Sequence, residues 1–468
     1  MFRITFLQEN RSIRKKDNLV MTMDIEEYAK RSLLEKKPKD EIVERLSEII
    51  LYYKNIDKED AGRLAEAVIE EVKTTLDIDY DLTDYYRTDI HMGEFGVGSR
   101  GKGDFYVHKK IAEIIKNTDC QSLVNSTAQD DGGVVKVDDT YYVTTAIDGI
   151  HSRLSDYPFL AGFHTARATL RDVCVMGADP VAIISDIHLA DDGDISKLLD
   201  FTAGICAVSE LTDVPLVAGS TLRIGGDMVL GSRLVGGVGA VGSSTNIPQA
   251  RSNAKMGDVI LMTEGCGGGT ITTTAIYNNY PEVIDRTLNV EFIRASKLLN
   301  NYEKIGDIHA MTDITNGGLI GDCNEINKTT GLGIHLIYDR IKNLIDPAVY
   351  EMLDKLDIDA LGVSIDSLMI IVDQKAKDSI MNLLNENNIR CDIIGKITDS
   401  GKTILEYPDR CENLTPKFRE AAYTPIKKVV DDIYEENYEK NTKIIDEATR
   451  SAIDKKNEVV KRIKEKQS

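Results

Sequence analysis

The chain has too few basic residues to balance its acids. Lysine and arginine number 57 against 77 aspartates and glutamates, a formal net charge of −20 over 468 residues. That sign disfavours nucleic acid or an anionic membrane as partner, because neutralising phosphates takes a basic surplus; a local basic cleft stays open. The seven cysteines, at 120, 174, 206, 266, 323, 391 and 411, contain no C-x-x-C pair. An odd, scattered set excludes a disulfide framework and a zinc knuckle, and reads as the reduced thiols of a cytoplasmic protein. No apolar run approaches the roughly 20 residues that span a bilayer. The N-terminal MFRITFLQENRSIRKKDNLV passes from a short apolar start into charges, unlike a signal peptide. Residues 1–23 read as a disordered or mis-assigned start, with Met21 or Met23 as the alternative first residue. Low-complexity runs are missing too. What remains, 42% hydrophobic and 29% charged, is globular in composition and long enough for two or three domains.

Residues 24–90 read as a helical extension. Ile42, Val43, Leu46, Ile49, Ile50 and Tyr53 follow the spacing of one helical face, and Leu64, Ala65, Val68, Ile69 and Val72 repeat it. Pro38 and residues 55–60 supply breaks, so about three helices are expected, serving packing or dimerisation. From 91 onward strands and helices alternate. GVVKVDDTYYVTTAI at 133–147 predicts a hairpin with its turn at the paired aspartates. Helices are expected over 160–176 and 195–211, strands at VAIISDIHLA and VPLVAGST, and a glycine-rich strand over 228–242. The polar SSTNIPQARSN near 244–254 marks a boundary, after which KMGDVILMTEG opens a second alternating run that ends at GKTILEY. The expected fold class is therefore α/β, with αβ domains at 91–245 and 250–408. Residues 415–468 form a charged helical tail. Its thin stripe of Ile445, Ala448, Ala452, Val459, Val460 and Ile463 suits an arm lying on its own body or on a partner subunit.

The stretch FGVGSRGKGDF at 95–105 satisfies two phosphate-binding patterns. Gly96, Gly98 and Gly101 fit G-x-G-x-x-G, and Gly96 through Lys102 fit G-x-x-x-x-G-K. A dinucleotide fingerprint needs a preceding strand, but YYRTDIHMGE is polar and turn-like. The P-loop pattern lacks the same strand and has Gly103 where a magnesium-binding hydroxyl belongs. A looser expectation survives: a flexible flap in which Lys102, Arg100 and the loop amides close over phosphates held elsewhere.

Aspartates recur where strands meet loops: Asp130, Asp131, Asp148, Asp172 and Asp186. Magnesium takes one or two carboxylates per ion and completes its shell with phosphate oxygens and water; each aspartate taken alone also suits a helix cap or turn. His151 and His164 flank the Asp148 element, either to contact a substrate or to bond at a strand end. His108, Lys109 and Lys110 read as solvated. Cys266, in the glycine turn TEGCGGGT, would need an exposed electropositive setting to react.

The ordered series DDGGVV, TAIDGIHSR, LRDVCVMGADPVAIISDI and VAGST, followed by KMGDVILMTEG and MTDITNGGLIGDCNEI, resembles the aminoimidazole ribonucleotide synthetase (PurM-like) superfamily. That superfamily includes thiamine-monophosphate kinase, selenophosphate synthetase, the hydrogenase-maturation carbamoyl dehydratase and formylglycinamidine ribonucleotide synthase. The resemblance spans about 91–408. It implies a two-domain PurM-like fold and a homodimer whose N-terminal sheets pair into a barrel. It also implies ATP in a cleft between the domains, with the γ-phosphate passing to an oxygen or to selenide. By the same resemblance Asp131, Asp148, Asp172 and Asp313 hold Mg2+. Gly149, Ser152, Arg153, Thr221, Gly317 and Gly318 join the loop glycines at the nucleotide, and Asp148 and Lys102 act in the transfer. Departures accompany it. Ser220 stands where kinase and maturation relatives carry an acid or histidine. The glycine loop lacks the cysteine or selenocysteine of selenophosphate synthetases, and KEKQS lacks the maturation enzyme's terminal cysteine. IHSRLSDYP does not reproduce the histidine pattern of the formylglycinamidine enzyme. The expected function is ATP- and magnesium-dependent phosphoryl transfer, as a kinase or synthetase, to an unidentified small-molecule or protein-borne substrate. A nucleotide-binding regulatory or assembly protein with little turnover is the alternative that Ser220 keeps open.

Overall fold

A computed structural model describes residues 23–76, 78–120, 122–128, 130–315, 317–420, 423–431 and 437–467. The expectation for the first residues falls outside this set, Met23 apart. Helices α1 (Ile25–Leu34), α2 (Lys39–Tyr53) and α3 (Lys58–Leu76) form the N-terminal extension. Asp24 caps α1 by accepting from the Glu27 amide at 2.9 Å. The periodic residues Ile42, Leu46 and Ile50 of α2 face Ala61, Ala65, Ile69 and Val72 of α3 in one buried cluster that also takes in Leu230. Lys54 ties α2 to the next domain through Asp191 and Asp192.

The first sheet has five strands in the order β2-β3-β7-β4-β5. They are β2 (Gly133–Lys136), β3 (Tyr142–Gly149), β4 (Asp179–Leu189), β5 (Leu216–Arg223) and β7 (Leu234–Ser244). The predicted hairpin is the antiparallel pair β2–β3. Between β5 and β7 lies the two-residue β6 (Val229–Leu230), which pairs with β1 (Met23–Asp24). One face of the sheet is covered by α5 (Pro158–Val175) and α6 (Ser196–Thr212). These helices approach closely because Gly162 and Gly204 have no Cβ: one added there would lie 2.0 Å from Phe201 O or 2.2 Å from Phe159 O. Outside this cover Ile147, Val181, Ile184 and Val217 are exposed, and β5 is an edge strand exposed along nearly its whole length.

The second sheet has seven strands in the order β14-β13-β10-β12-β8-β11-β9. They are β8 (Val259–Thr263), β9 (Ile308–Ile314), β10 (Gly333–Ile337), β11 (Ser367–Val372), β12 (Cys391–Thr398), β13 (Thr403–Glu406) and β14 (Cys411–Asn413). Strands β8, β9 and β11 are buried at every residue, so helices must cover both faces. Two apolar clusters divide accordingly between the two sides.

Two more helices matter for the site. Helix α4 (Lys102–Lys116) follows the glycine loop, and α8 (Gly318–Thr330) follows β9, after α7 (Gly269–Asn278). The tail helix α9 (Tyr438–Gln467) lies on its own body, along α4. There Asp446 accepts from the Tyr106 hydroxyl at 2.6 Å and pairs with Lys110 at 2.7 Å, so Lys110 is not the solvated residue expected. No helix among the described residues is long and apolar enough to cross a membrane.

Candidate active site: a carboxylate cleft between the two sheets

A cavity of about 470 Å³ opens between the first and second sheets. Asp148 comes from the end of β3, Asp172 from α5, and Asp130 and Asp131 from the segment before β2. Asp313 comes from β9, and Asp322 and Glu325 from α8, three residues apart and hence on one helical face. The three carboxylates of Asp131, Asp313 and Asp322 each offer an oxygen within 4.8 Å of the others. Negative groups that close repel unless protonated, paired with cations or bound to a metal. Burial, reinforced by Asp313 and Glu325 against the pull of Arg251, pushes the Asp131 pKa up to about 7. Burial also raises Asp148 against the pull of Arg171, and burial together with the neighbouring Asp148 and Asp313 lifts Asp172 well above the usual carboxylate range. The buried oxygens Asp130 Oδ2 and Asp148 Oδ2 find no hydrogen-bond partner among the described residues. Oxygen-only donors with unmet lone pairs fit a hard divalent cation such as magnesium.

Arginines hold the rest of this charge. Arg251 is buried, and its Nη2 reaches Asp131 at 2.7 Å, Asp322 at 3.0 Å and Thr312 Oγ1 at 2.6 Å, while Nη1 lies 2.9 Å from Glu325. It stands in the segment expected only to be a polar boundary. A lone arginine in a linker carries no periodic signal, so sequence reasoning missed it. Arg167 and Arg171 project from one face of α5. Arg171 pairs with Asp313 and Asp366, and Arg167 pairs with Asp366 and donates to the carbonyls of Gly267, Thr287 and Asn289. Burial would raise the Asp366 pKa; the two guanidiniums prevail and hold it below the usual value. The i, i+4 spacing of Arg167 and Arg171, and the i, i+3 spacing of Asp322 and Glu325, were the available signals for these residues.

The glycine loop is built differently from a phosphate cradle. The amides of Gly98 and Arg100 donate at 2.9 and 2.8 Å to the carboxylate of Asp104, which is fully buried in the first turn of α4. Gly101 and Gly103 are required by close packing: a Cβ would lie 2.1 Å from Phe418 O or 1.8 Å from Phe95 O. Lys102 N donates to Lys417 O and Glu420 N to Ser99 O, both at 3.0 Å, so residues 417–420 strap the loop down. Arg100 lines the carboxylate cleft, whereas Lys102 lines a separate hollow on the far side of Phe105.

The remaining expected residues scatter. Gly149 is on the cleft wall. Ser152 and Arg153 sit on the short turn that follows, where Arg153 lies over the Tyr277 ring. Gly317, with φ 95°, and Gly318, with φ 59°, begin α8, and a Cβ on Gly318 would meet Leu361 O at 2.2 Å. Thr221 and Ser220 are exposed on β5, and Asp186, paired with Ser220 in register, bonds His188 instead of joining the cleft. His151 lines the cleft with both ring nitrogens engaged, Nε2 by the Tyr423 hydroxyl at 2.6 Å and Nδ1 by Thr273 Oγ1 at 3.1 Å. Burial, then Lys427 and Arg153, lower its pKa to about 4. His164 bonds Thr272 at 2.8 Å. Burial raises the Cys266 thiol to about 11, which keeps it protonated.

Residues 129–242 match the AIR synthase related protein N-terminal domain, and residues 255–408 match its C-terminal domain. An uncharacterized protein of Methanocaldococcus jannaschii is 49% identical over 453 residues, 95% of this chain and 99% of that one. The chain belongs to the AIR synthase related family. Within the same PurM-like superfamily, the selenide, water dikinase of Clostridium botulinum strain Eklund 17B is 27% identical over 68% of this chain and 90% of its own length. Among solved structures, HypE in a HypE–HypF complex superposes with a TM-score of 0.54 at 16% identity, covering 66% of this chain and 99% of that one. ThiL complexed with AMPPCP and TMP gives 0.51 at 17%, covering 67% and 96%. HypE in complex with ATP gives 0.51 at 19%, covering 68% and 96%. These structures establish the shared fold. In this AIR synthase related chain the helices α1–α4 and the tail lie outside the matched residues, while Asp130, Asp131, Asp148, Asp172, Asp313, Asp322 and Asp366 all lie within them.

Proposed function

We propose that this protein is an ATP- and magnesium-dependent phosphoryl-transfer enzyme that activates an oxygen of a small-molecule or protein-borne substrate. The observation that carries the proposal is the convergence of Asp131, Asp148, Asp172, Asp313 and Asp322 on one cleft, with buried oxygens left unpartnered. The printed ligands of the superposed relatives, ATP for HypE and AMPPCP for ThiL, support a nucleotide there.

Phosphoryl transfer asks for positioning and charge neutralisation more than for a protein nucleophile. Asp131, Asp148, Asp172 and Asp313 would hold magnesium, which supplies neutralisation of phosphate charge and a template for the triphosphate. Arg100, on the cleft wall, is placed to meet phosphate oxygens; Lys102 faces the neighbouring hollow, so Arg100 takes over its assigned part. Arg171, Arg167 and Arg251 are already paired with carboxylates and keep the cleft from flying apart electrostatically. The apolar residues exposed on the first sheet, Ile147, Val181, Ile184 and Val217, support a homodimer formed through that sheet.

The test is ADP release from ATP with magnesium across a panel of acceptors, for the wild type and Asp148→Asn. The expected result is turnover in the wild type with one acceptor and its loss in the variant. ATP binding without ADP release from any acceptor would favour a regulatory or assembly protein, and no ATP binding at all would sink both readings.

A further inference from the structure

Beside the carboxylate cleft lies a larger hollow of about 1020 Å³, walled by α4, α8 and the C-terminal segment through Thr415, Pro416 and Tyr438. Lysines dominate its charge. Lys102, Lys109 and Lys116 recur every seven residues along one face of α4, and Lys328 comes from α8, reaching over the Phe105 ring at 5.0 Å. None of these ammonium groups forms an ion pair with a carboxylate among the described residues. The two acids on the wall are committed elsewhere, Glu113 to Lys110 at 2.8 Å and Glu325 to Arg251 at 2.9 Å. On a chain of net charge −20, four lysines without a carboxylate ion pair among the described residues, gathered around one concavity, form a local patch of the opposite sign. The side-chain nitrogen of Asn324, also on this wall, is buried and has no acceptor among the described residues. A buried donor without a partner calls for one from a ligand or water. Phe105, Tyr106 and Tyr438 add apolar ring surface.

We propose that this hollow binds a small molecule bearing two or more anionic groups, phosphate or carboxylate, with its apolar part against Phe105. Phe105 and Glu325 belong to both walls, so a molecule seated here adjoins the carboxylate cleft. That position suits the acceptor of the transfer. The acceptor role rests on the phosphoryl-transfer reading; the binding does not. Most of the hollow's wall, the α4 residues between Lys102 and Lys116 together with Thr415, Pro416 and Tyr438, is outside the family-matched residues, so the site is an addition to the shared core.

The probe is inorganic pyrophosphate, titrated by calorimetry into the full chain with its cleft saturated by AMPPCP and magnesium. The wild type is expected to bind pyrophosphate under these conditions. Lys109→Ala/Lys328→Ala should weaken that binding about tenfold or more, since each lost charge-assisted contact counts, while AMPPCP affinity and the melting temperature stay the same. Lys396→Ala/Lys402→Ala makes the same change in net charge at exposed positions, one on β12 and one just before β13, and should leave pyrophosphate affinity unchanged. Equal pyrophosphate affinity in the wild type and Lys109→Ala/Lys328→Ala, or an equal loss in both double variants, overturns the site. Failure of AMPPCP to bind the wild type overturns the phosphoryl-transfer reading instead, and the comparison of pyrophosphate affinities without nucleotide then decides the hollow alone.

Discussion

Arg251 is the residue on which the cleft's electrostatics turn. One buried guanidinium faces Asp131, Asp322 and Glu325, and removing it takes away the cation in direct contact with all three. Breaking a buried pair from one side costs about 3–5 kcal/mol. Arg251→Met should therefore lower the urea midpoint sharply at pH 7, and Arg251→Lys should recover only part, because an ammonium lacks the planar fork. An unchanged midpoint would show that the carboxylates are neutralised by other means. His151 makes a prediction with a definite sign. Its pKa falls from 6.5 to about 4 on folding, so the unfolded chain takes up the proton first as pH falls. The stability from neutral His151 is full above pH 6.5 and is lost as pH drops through about 4. Thermal melts across this window should slope less in His151→Gln than in the wild type; parallel curves would refute the assignment. The hydrogen bonds give the reason. Thr273 donates to Gly269 O at 2.7 Å, so His151 Nδ1–H donates to Thr273 and Nε2 accepts from Tyr423, whose oxygen accepts from Lys427 at 2.9 Å.

At the scale of elements, α4 and its loop are held from outside their own sequence. Asp104 takes two loop amides, residues 417–420 cross the loop, and α9 clasps the outer side through Asp446. Gly101→Ala forces a Cβ against the Phe418 carbonyl, and overpacking of this kind costs about 1–3 kcal/mol. Gly98→Ala meets no atom within 4 Å and carries only the strain of φ +84°, a smaller penalty of about 1 kcal/mol. Chemical denaturation of the two variants should rank them in that order. Truncation after residue 437 removes α9 with its contacts to Tyr106 and Lys110, and limited proteolysis should then cut near 96–101 faster than in the full chain. The helices were readable because their apolar spacing is local, as with Ile42, Leu46 and Ile50. The straps were not, because Lys102 and Lys417 stand at opposite ends of the two αβ domains in sequence and their contact leaves no trace in local spacing.

For the whole molecule, the uncovered face of the first sheet sets the expectation. Val181 is 49% and Val217 60% exposed on neighbouring strands, an arrangement that favours burial against a second copy. Sedimentation at micromolar concentration should give a dimer for the wild type and a monomer for Val181→Asp/Val217→Asp. A monomeric wild type would remove the dimer from the proposal.

The sequence by itself determined the alternation of strands and helices, the family, and the order of the aspartate motifs; Asp148 ends a strand as expected, whereas Asp172 lies within α5. The alternation and each motif depend on spacing within a dozen residues, where side-chain periodicity speaks directly, and the family follows from the order of the motifs along the chain. Only the tertiary structure decided which charges meet. It placed Arg251 among the carboxylates, brought Asp322 and Asp366 to the cleft, kept Asp186 and Thr221 out of it, and turned Lys102 toward a second hollow. Each of those outcomes joins segments far apart in the chain, and the repulsion or attraction between their charges has no counterpart in local spacing.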